Sequence, residues 1–241
     1  MIFAAGLGTR LKPLTDRMPK ALVKVGGEPL LKHAILQMKG AGFGRIVVNV
    51  HHFAGQIKDY LSAQQNFGMD IRISDESRML LDTGGGIRCA RPLFDPQSPV
   101  LVHNVDILSN VNLRSFYAKA HGDATLLVSP RTTKRYLLFD TDGSCRLKGW
   151  TNVDTNEVRT PHQGLLPDQC LRYAFSGIHV FSPALFAAMD SWPERFGIMD
   201  FYLSVCADRG IYGHVDPCLR LMDVGKQETI AQAEQFLTTL Q

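Results

Sequence analysis

No apolar run in the sequence approaches the ~18 residues that a membrane-spanning helix needs. There is no basic leader before the first apolar stretch, which stops at Gly6, so no secretory signal is expected and the membrane is not an expected partner. No cysteine pair has Cys-x-x-Cys spacing, and the 5 cysteines, Cys89, Cys145, Cys170, Cys206 and Cys218, are odd in number. A disulfide framework is not expected; the thiols read as reduced and mostly buried, in a cytoplasmic protein. Charge is nearly balanced, at +3, and no block of Lys or Arg occurs, which argues against nucleic acid as a partner. Repeats and low-complexity tracts are missing, and the only tryptophans, Trp150 and Trp192, read as packing residues. What is present is a globular composition, 45% hydrophobic and 20% charged, over 241 residues, enough for one sizeable core in a single domain.

Hydrophobic periodicity sets the order of elements. Met1–Ala5 reads as a buried strand, so short that either a few native residues precede Met1 or the strand is clipped. Pro29 at a first helical position, followed by Leu30, Leu31, Ala34, Ile35 and Met38, predicts a helix that Gly42 stops. Ile46–Val50 reads as a buried strand, Phe53–Gln64 as an amphipathic helix, Ile71–Ile73 and Val100–His103 as strands. A helix capped by Asn112 runs to Ala120, and a strand covers Ala124–Ser129. Alternation of helices with strands apolar on both faces predicts an α/β fold with an open, mostly parallel sheet, whose ligands bind at the carboxyl ends of the strands. From about Tyr136 the pattern changes. Tyr136–Asp140, Cys145–Trp150 and Leu171–Phe181 read as antiparallel strands, and the polar stretch Thr151–Gln169 as a loop or lid. Helices are expected at Pro183–Met189, Met199–Arg209 and Gln227–Leu240.

The opening, MIFAAGLGTRLKPLTDRMPKALV, puts a glycine turn directly after the first strand and adds Arg10 and Lys20 beside it. Exposed backbone next to positive charge suits phosphate. Neither familiar phosphate loop fits: a dinucleotide-binding loop would have a third glycine where Leu11 stands, and no Gly-Lys-Ser/Thr closes a P-loop. Asp106 ends a buried strand and Asp223 lies far downstream; by residue type alone each serves equally well as a turn cap, and Lys20 as a solvated lysine. His51-His52 could suggest a metal, but neighbours on a strand end point opposite ways, so a solvated pair is the reading adopted.

The stretch Ala4-Ala5-Gly6-Leu7-Gly8-Thr9-Arg10-Leu11, with Pro13-Leu14-Thr15 and Pro19-Lys20, resembles the signature of the sugar-1-phosphate nucleotidyltransferases. Four further stretches match in order: Thr83-Gly84-Gly85-Gly86-Ile87, Asn104-Val105-Asp106, Phe175-Ser176-Gly177-Ile178 and Asp223-Val224-Gly225. The resemblance implies a Rossmann-like mixed sheet, mostly parallel, with helices on both faces and a small antiparallel sugar-side layer. It divides the chain into a nucleotide-binding part, residues 1–130, and a sugar-binding part with closing helices, residues 131–241. It implies Mg²⁺-dependent transfer of a nucleotidyl group from a nucleoside triphosphate to a sugar 1-phosphate, releasing pyrophosphate. By motif match, the catalytic residues would be Lys20, Arg10 and Asp106. Ala5, Gly6, Gly8, Thr9 and Arg10 would hold the triphosphate; Gly85 and Gly86 would leave room for base or ribose. Glu76 is a candidate contact to the base edge, with a solvated surface carboxylate as its alternative. Asn104 and Gly177 would lie at the sugar, and Asp106 and Asp223 would bind Mg²⁺, a hard cation that prefers carboxylate oxygen and water.

Two positions depart from the pattern. Val105 replaces the usual middle glycine of the metal strand, which narrows any pocket there. The sugar side, Gly149-Trp150-Thr151-Asn152, lacks the lysine that the resemblance leads one to expect, and Lys148 cannot be assigned its role. Base and acceptor stay open: UDP-N-acetylmuramate is one product the resemblance allows, guanylyl transfer to mannose 1-phosphate or transfer to choline phosphate are others. A catalytically reduced nucleotide-sugar-binding regulatory module is the rival of a different class, and monomer and dimer are both compatible with the sequence.

Overall fold

Alternating valines and isoleucines build the centre of the fold, here described from a computed structural model that covers residues 1–240, with Gln241 outside the described residues. In chain order the first part contains β1 (Ile2–Phe3), β2 (Lys24–Val25), β3 (Glu28–Pro29), α1 (Leu30–Gly40), β4 (Arg45–Val50), α2 (Ala54–Ala63), β5 (Asp70–Asp75), α3 (Asp82–Cys89), β6 (Val100–Asn104), β7 (Ile107–Ser109), α4 (Leu113–Lys119) and β8 (Ala124–Ser129). The second contains β9 (Arg135–Phe139), β10 (Leu147–Asn152), β11 (Glu157–Arg159), β12 (Leu171–Phe181), α5 (Phe186–Met189), α6 (Ile198–Val205), β13 (Ile211–Val215), β14 (Leu221–Asp223) and α7 (Thr229–Thr238).

β6, β1, β4 and β5 pair in parallel, in that order. Their residues alternate between two cores, as period-2 strands buried on both faces must. Val48 and Val50 pack with α1, α2, α4 and α7, while Val47 and Val102 pack with α3, α5 and α6. Helices thus cover both faces of a mostly parallel sheet. The long β12 joins the two regions. Its end pairs antiparallel with β6, its start with β9, and β8 runs along its other edge. Beyond β9 the sheet continues antiparallel through β10 and β11, and β13 adds parallel to β8. Among the described residues no helix is long and apolar enough to cross a membrane.

Two local expectations need correction, and one helix has no counterpart in the sequence reading. Pro29 does not begin the helix; it closes a short hairpin in which Lys24 pairs with Pro29, and its extended backbone (φ −59°, ψ 144°) leads into α1 at Leu30. Thr151–Gln169 is not a free loop. It holds the end of β10, all of β11 and a packed return in which the Thr160 hydroxyl donates to the Lys148 carbonyl at 2.6 Å. A Cβ on Gly149 would lie 3.2 Å from Leu165 Cδ2, so this return lies against the sheet. Finally, residues Asp82–Cys89 form a helix despite three consecutive glycines, which lower helix propensity by about 1 kcal/mol each. The glycines are needed for packing: at Gly84 a Cβ would fall 2.2 Å from the Phe196 ring, and at Gly85 2.4 Å from the Glu194 carbonyl oxygen.

Candidate active site

The carboxyl ends of β1, β4, β5 and β6 surround a cavity of about 350 Å³. Its walls include Ala5, Gly6, Lys20, Glu76, Asp82 and Asp106. The glycine turn forms one side. A Cβ on Gly6 would touch nothing within 4 Å, so the backbone there is bare toward open space. Gly8 is different. Its φ is +64°, and a Cβ would lie 2.8 Å from Thr15 Cγ2 and 3.0 Å from Lys20 Cβ. Only glycine lets this turn close onto Thr15, whose hydroxyl donates to the Gly8 carbonyl at 2.8 Å, and onto the segment carrying Lys20. The separation of GLGTR from MPK in sequence therefore disappears in space.

Lys20 Nζ donates to Asp106 Oδ2, with little of either side chain exposed (12% and 17%). β14 pairs antiparallel with β7, setting Asp223 opposite Ile107, and Val224 N donates to the Asp106 carbonyl at 2.9 Å. This pairing brings two carboxylates 117 residues apart in sequence (223 − 106) to one point. Asp223 stands at the rim, and its carboxyl is pushed above the usual range, first by desolvation and then by the charge of Asp106; Lys20 and Arg10 pull it the other way. Arg10 is exposed but aimed inward: a Cβ on Gly225 would lie 2.8 Å from Asp223 Oδ1 and 3.0 Å from Arg10 Nη2. Arg10, Lys20, Asp106 and Asp223 are one cluster of alternating charge.

The donor set fits Mg²⁺. Among the described residues no group of three or more His, Cys, Asp or Glu side chains could hold a metal. Mg²⁺ does not need one: it is commonly held by one or two carboxylates, with waters and substrate phosphates completing six positions. An Asp223 carboxyl pushed up by burial and by the charge of Asp106 is a group that a bound cation would relieve.

The far wall is built around Glu76. It is buried, only 3% exposed, so the surface-carboxylate reading fails. Its Oε1 accepts from Asn49 Nδ2 at 2.7 Å and its Oε2 from Leu81 N at 3.2 Å. Burial raises its pKa. Asn49 Oδ1 in turn accepts from Ala4 N at 2.8 Å, tying this wall to the glycine turn. Sequence reasoning did not single out Asn49; a lone Asn in an apolar strand, IVVNV, was the signal. His51 is not merely solvated, since its Nδ1 lies 2.7 Å from the Glu76 carbonyl oxygen, while His52 is exposed against Phe53.

Other expected residues are placed less directly. Gly85 and Gly86 do not line the cavity. The space beside Gly85 is filled by Glu194, and that beside Gly86 by the Glu76 carboxylate, 2.7 Å from a Cβ there. Thr9 starts the turn after Gly8 and is exposed. Asn104 lines the cavity, and Gly177 (φ +79°) packs under it: a Cβ would fall 2.7 Å from Asn104 Nδ2. Val105 also borders the cavity, and it is buried in the core cluster that includes Ile107 and Leu108. In the antiparallel layer Lys148 Nζ is engaged by Asp140 at 3.0 Å. Trp192 packs on Phe196 with ring centroids 5.1 Å apart.

Comparison with known proteins agrees with this geometry. The nucleotidyl transferase family matches residues 1–136. The chain is similar to an N-acetylmuramate alpha-1-phosphate uridylyltransferase of Caulobacter vibrioides, at 32% identity over 98% of this chain and 96% of the relative. It is also similar to the enzyme of that name from Neisseria meningitidis serogroup B, at 31% identity over 79% and 78% of the two chains. In fold it matches the inositol-1-phosphate CTP transferase of T. maritima with a TM-score of 0.79 over 99% and 94% of the two chains, at 13% identity. With more than half of its length matched by the family and a relative aligned from end to end, this chain belongs to the nucleotidyl transferase family.

Proposed function

We propose that the chain transfers a uridylyl group from UTP to N-acetylmuramate 1-phosphate, giving UDP-N-acetylmuramate and pyrophosphate in the cytoplasm, with Mg²⁺ as cofactor. The observation that carries the reaction class is the Lys20, Asp106, Asp223 and Arg10 cluster beside the bare Gly6 backbone at the ends of β1 and β6. The end-to-end likeness to the Caulobacter vibrioides relative supports the choice of sugar and base. Residues 1–130 would serve the nucleotide and residues 131–241 the sugar.

In this reading a sugar phosphate oxygen attacks the α-phosphorus and pyrophosphate leaves. Two anions must meet: two unit charges at ~4 Å repel by about 4 kcal/mol at an effective dielectric of ~20. No side chain needs to act as nucleophile. Positioning and charge stabilisation carry the rate. The turn at Gly6 and Gly8 would receive the triphosphate on its backbone, Arg10 would grip the β- and γ-phosphates, and Lys20 would exchange Asp106 for the reacting phosphates. Asp106 and Asp223 would hold Mg²⁺, which would supply positive charge to offset the repulsion of the two anions. The cavity bounded by Glu76, Leu80, Asp82 and Thr83 would take base and ribose.

A substrate matrix tests this reading. Each nucleoside triphosphate is crossed with N-acetylmuramate, N-acetylglucosamine, glucose and mannose 1-phosphates, and with choline phosphate, and pyrophosphate release is measured. The highest kcat/KM is expected for UTP with N-acetylmuramate 1-phosphate. Turnover that favours GTP with mannose 1-phosphate, or another pair, would replace the substrate assignment; no turnover with any pair would favour a binding module.

A further inference from the structure

Arg159 is a cation that the reaction described above does not use. It ends β11, the outermost strand of the antiparallel layer, and the register sets it directly across from Trp150. Its guanidinium carbon lies over the indole ring, 5.6 Å from the centroid. A ring beneath the guanidinium holds the plane of the fork while leaving its N–H edges free for a planar oxyanion. Its partner is Asp200 Oδ1, at the start of α6. The other oxygen of that carboxylate lies 2.8 Å from where a Cβ on Gly197 would stand, and Gly197 lines the active-site cavity. The same end of α6 is fastened to the cavity wall by Ile198 N, which donates to Thr83 Oγ1 at 2.8 Å. The guanidinium therefore stands one carboxylate behind the wall of the cavity, on the side of the antiparallel layer.

The pair is poised to exchange. Both side chains are about half exposed (44% and 48%). Exposed ion pairs of this kind add only about 0–1 kcal/mol to stability, so a competing oxyanion can displace the carboxylate. Lys148, Lys134 and Arg172 are each committed to a carboxylate of the antiparallel layer or its loops, Asp140, Asp154 and Asp168. Arg159 alone among these reaches across to an element that borders the cavity.

We propose that Arg159 binds an oxyanion of the sugar substrate, releasing Asp200 as it does so, and thereby sets affinity for the sugar. The inference rests on the nucleotidyl-transfer reading. N-acetylmuramate 1-phosphate carries two such groups, the phosphate and the lactyl carboxylate.

The test uses steady-state kinetics on the full chain with UTP and N-acetylmuramate 1-phosphate, after thermal denaturation confirms folding. Arg159→Gln is expected to raise KM for the sugar about tenfold or more, the equivalent of one charge-assisted hydrogen bond, with kcat and KM for UTP little changed. Asp200→Asn removes the competitor and is expected to lower the same KM. A purely structural ion pair would move both variants in one direction. N-acetylglucosamine 1-phosphate, which lacks the carboxylate, separates the two sources when used as a competitive inhibitor. Inhibition weakened by Arg159→Gln in step with KM identifies the phosphate; inhibition unchanged while KM rises identifies the carboxylate. A sugar KM unaltered by Arg159→Gln, or raised equally by both variants, overturns the proposal. A wild-type protein that releases no pyrophosphate refutes the underlying reaction, and this role with it.

Discussion

Replacing Lys20 by alanine separates ground-state from transition-state effects. In the resting protein Lys20 is paired with Asp106, and the pair is mostly shielded from solvent. On the proposed mechanism, the ammonium would exchange one anion for another when the triphosphate enters. Its contribution to ground-state binding is the difference between two charge-assisted contacts, each worth about 1.5–3 kcal/mol, so the net is about 1 kcal/mol or less. In the transition state nothing cancels: negative charge from two anions converges on the α-phosphorus, and a preorganised donor aimed there is worth about 2.7–4 kcal/mol. Lys20→Ala is therefore expected to cut kcat by roughly 10²–10³ and to move KM for the triphosphate by less than about tenfold. Arg10→Ala, which removes a grip on groups that change less during the reaction, should do the opposite and mainly raise that KM. Initial rates of pyrophosphate release over a range of triphosphate concentrations give both constants. A Lys20→Ala variant with near-normal kcat and weak binding would refute the reasoning and reverse the two roles.

Asp106→Asn should abolish most turnover while leaving the melting temperature near wild type, and a chelator should inactivate the wild type until Mg²⁺ is restored; full activity in excess chelator would remove the metal from the account. Gly177→Ala must place a Cβ 2.7 Å from Asn104 Nδ2 at a φ of +79°, where a non-glycine residue costs about 1–2 kcal/mol. It should lower the melting temperature by several degrees and reduce kcat/KM, and an unaffected variant would show that Asn104 is not held by this contact. His179 is fully buried, its Nδ1 2.9 Å from the Tyr202 hydroxyl, and burial pushes its pKa down to about 3. Below the ordinary value near 6.5 the unfolded chain takes up a proton that the native chain refuses. The stability this group contributes is complete above pH 6.5 and is lost as pH falls toward about 3. Chemical denaturation at pH 6.5 and 5 should show a loss of about 2 kcal/mol from this residue, with His103, lowered to about 4, adding in the same sense. A His179→Asn variant with the same pH slope as wild type would contradict this.

What the sequence revealed depends on how local each feature is. The buried strand before the glycine turn, the amphipathic helix from Leu30 and the β-branched run at Ile46–Val50 announce themselves through period and composition, and all three are present, the first strand shortened to Ile2–Phe3 and the helix starting one residue after Pro29. The contacts among Gly8, Thr15 and Lys20 were implicit in one contiguous motif. The meeting of Asp223 with Asp106 was not, because it depends on β7 pairing with β14. Each strand has three residues, too few for period-2 alternation to register, and they are far apart in sequence. Resemblance placed these aspartates together where periodicity had nothing to say. α3 was hidden for the opposite reason: local propensity argues against a helix through Gly84-Gly85-Gly86, and tertiary packing on Phe196 and Glu194 overrides it. The polarity of Thr151–Gln169 concealed β11, an edge strand whose three residues are all exposed and so carry no apolar signal.

Isotopic labelling follows the bond that breaks. UTP labelled at the α-phosphorus, and separately at the γ-phosphorus, is incubated with the protein, Mg²⁺ and N-acetylmuramate 1-phosphate, and the products are separated. The account predicts α-label in a UDP-sugar and γ-label in pyrophosphate, in equal amounts, with neither product formed when the sugar phosphate is omitted. Gamma-label appearing in inorganic phosphate or on the sugar, or pyrophosphate released without a nucleotide-sugar, would contradict it.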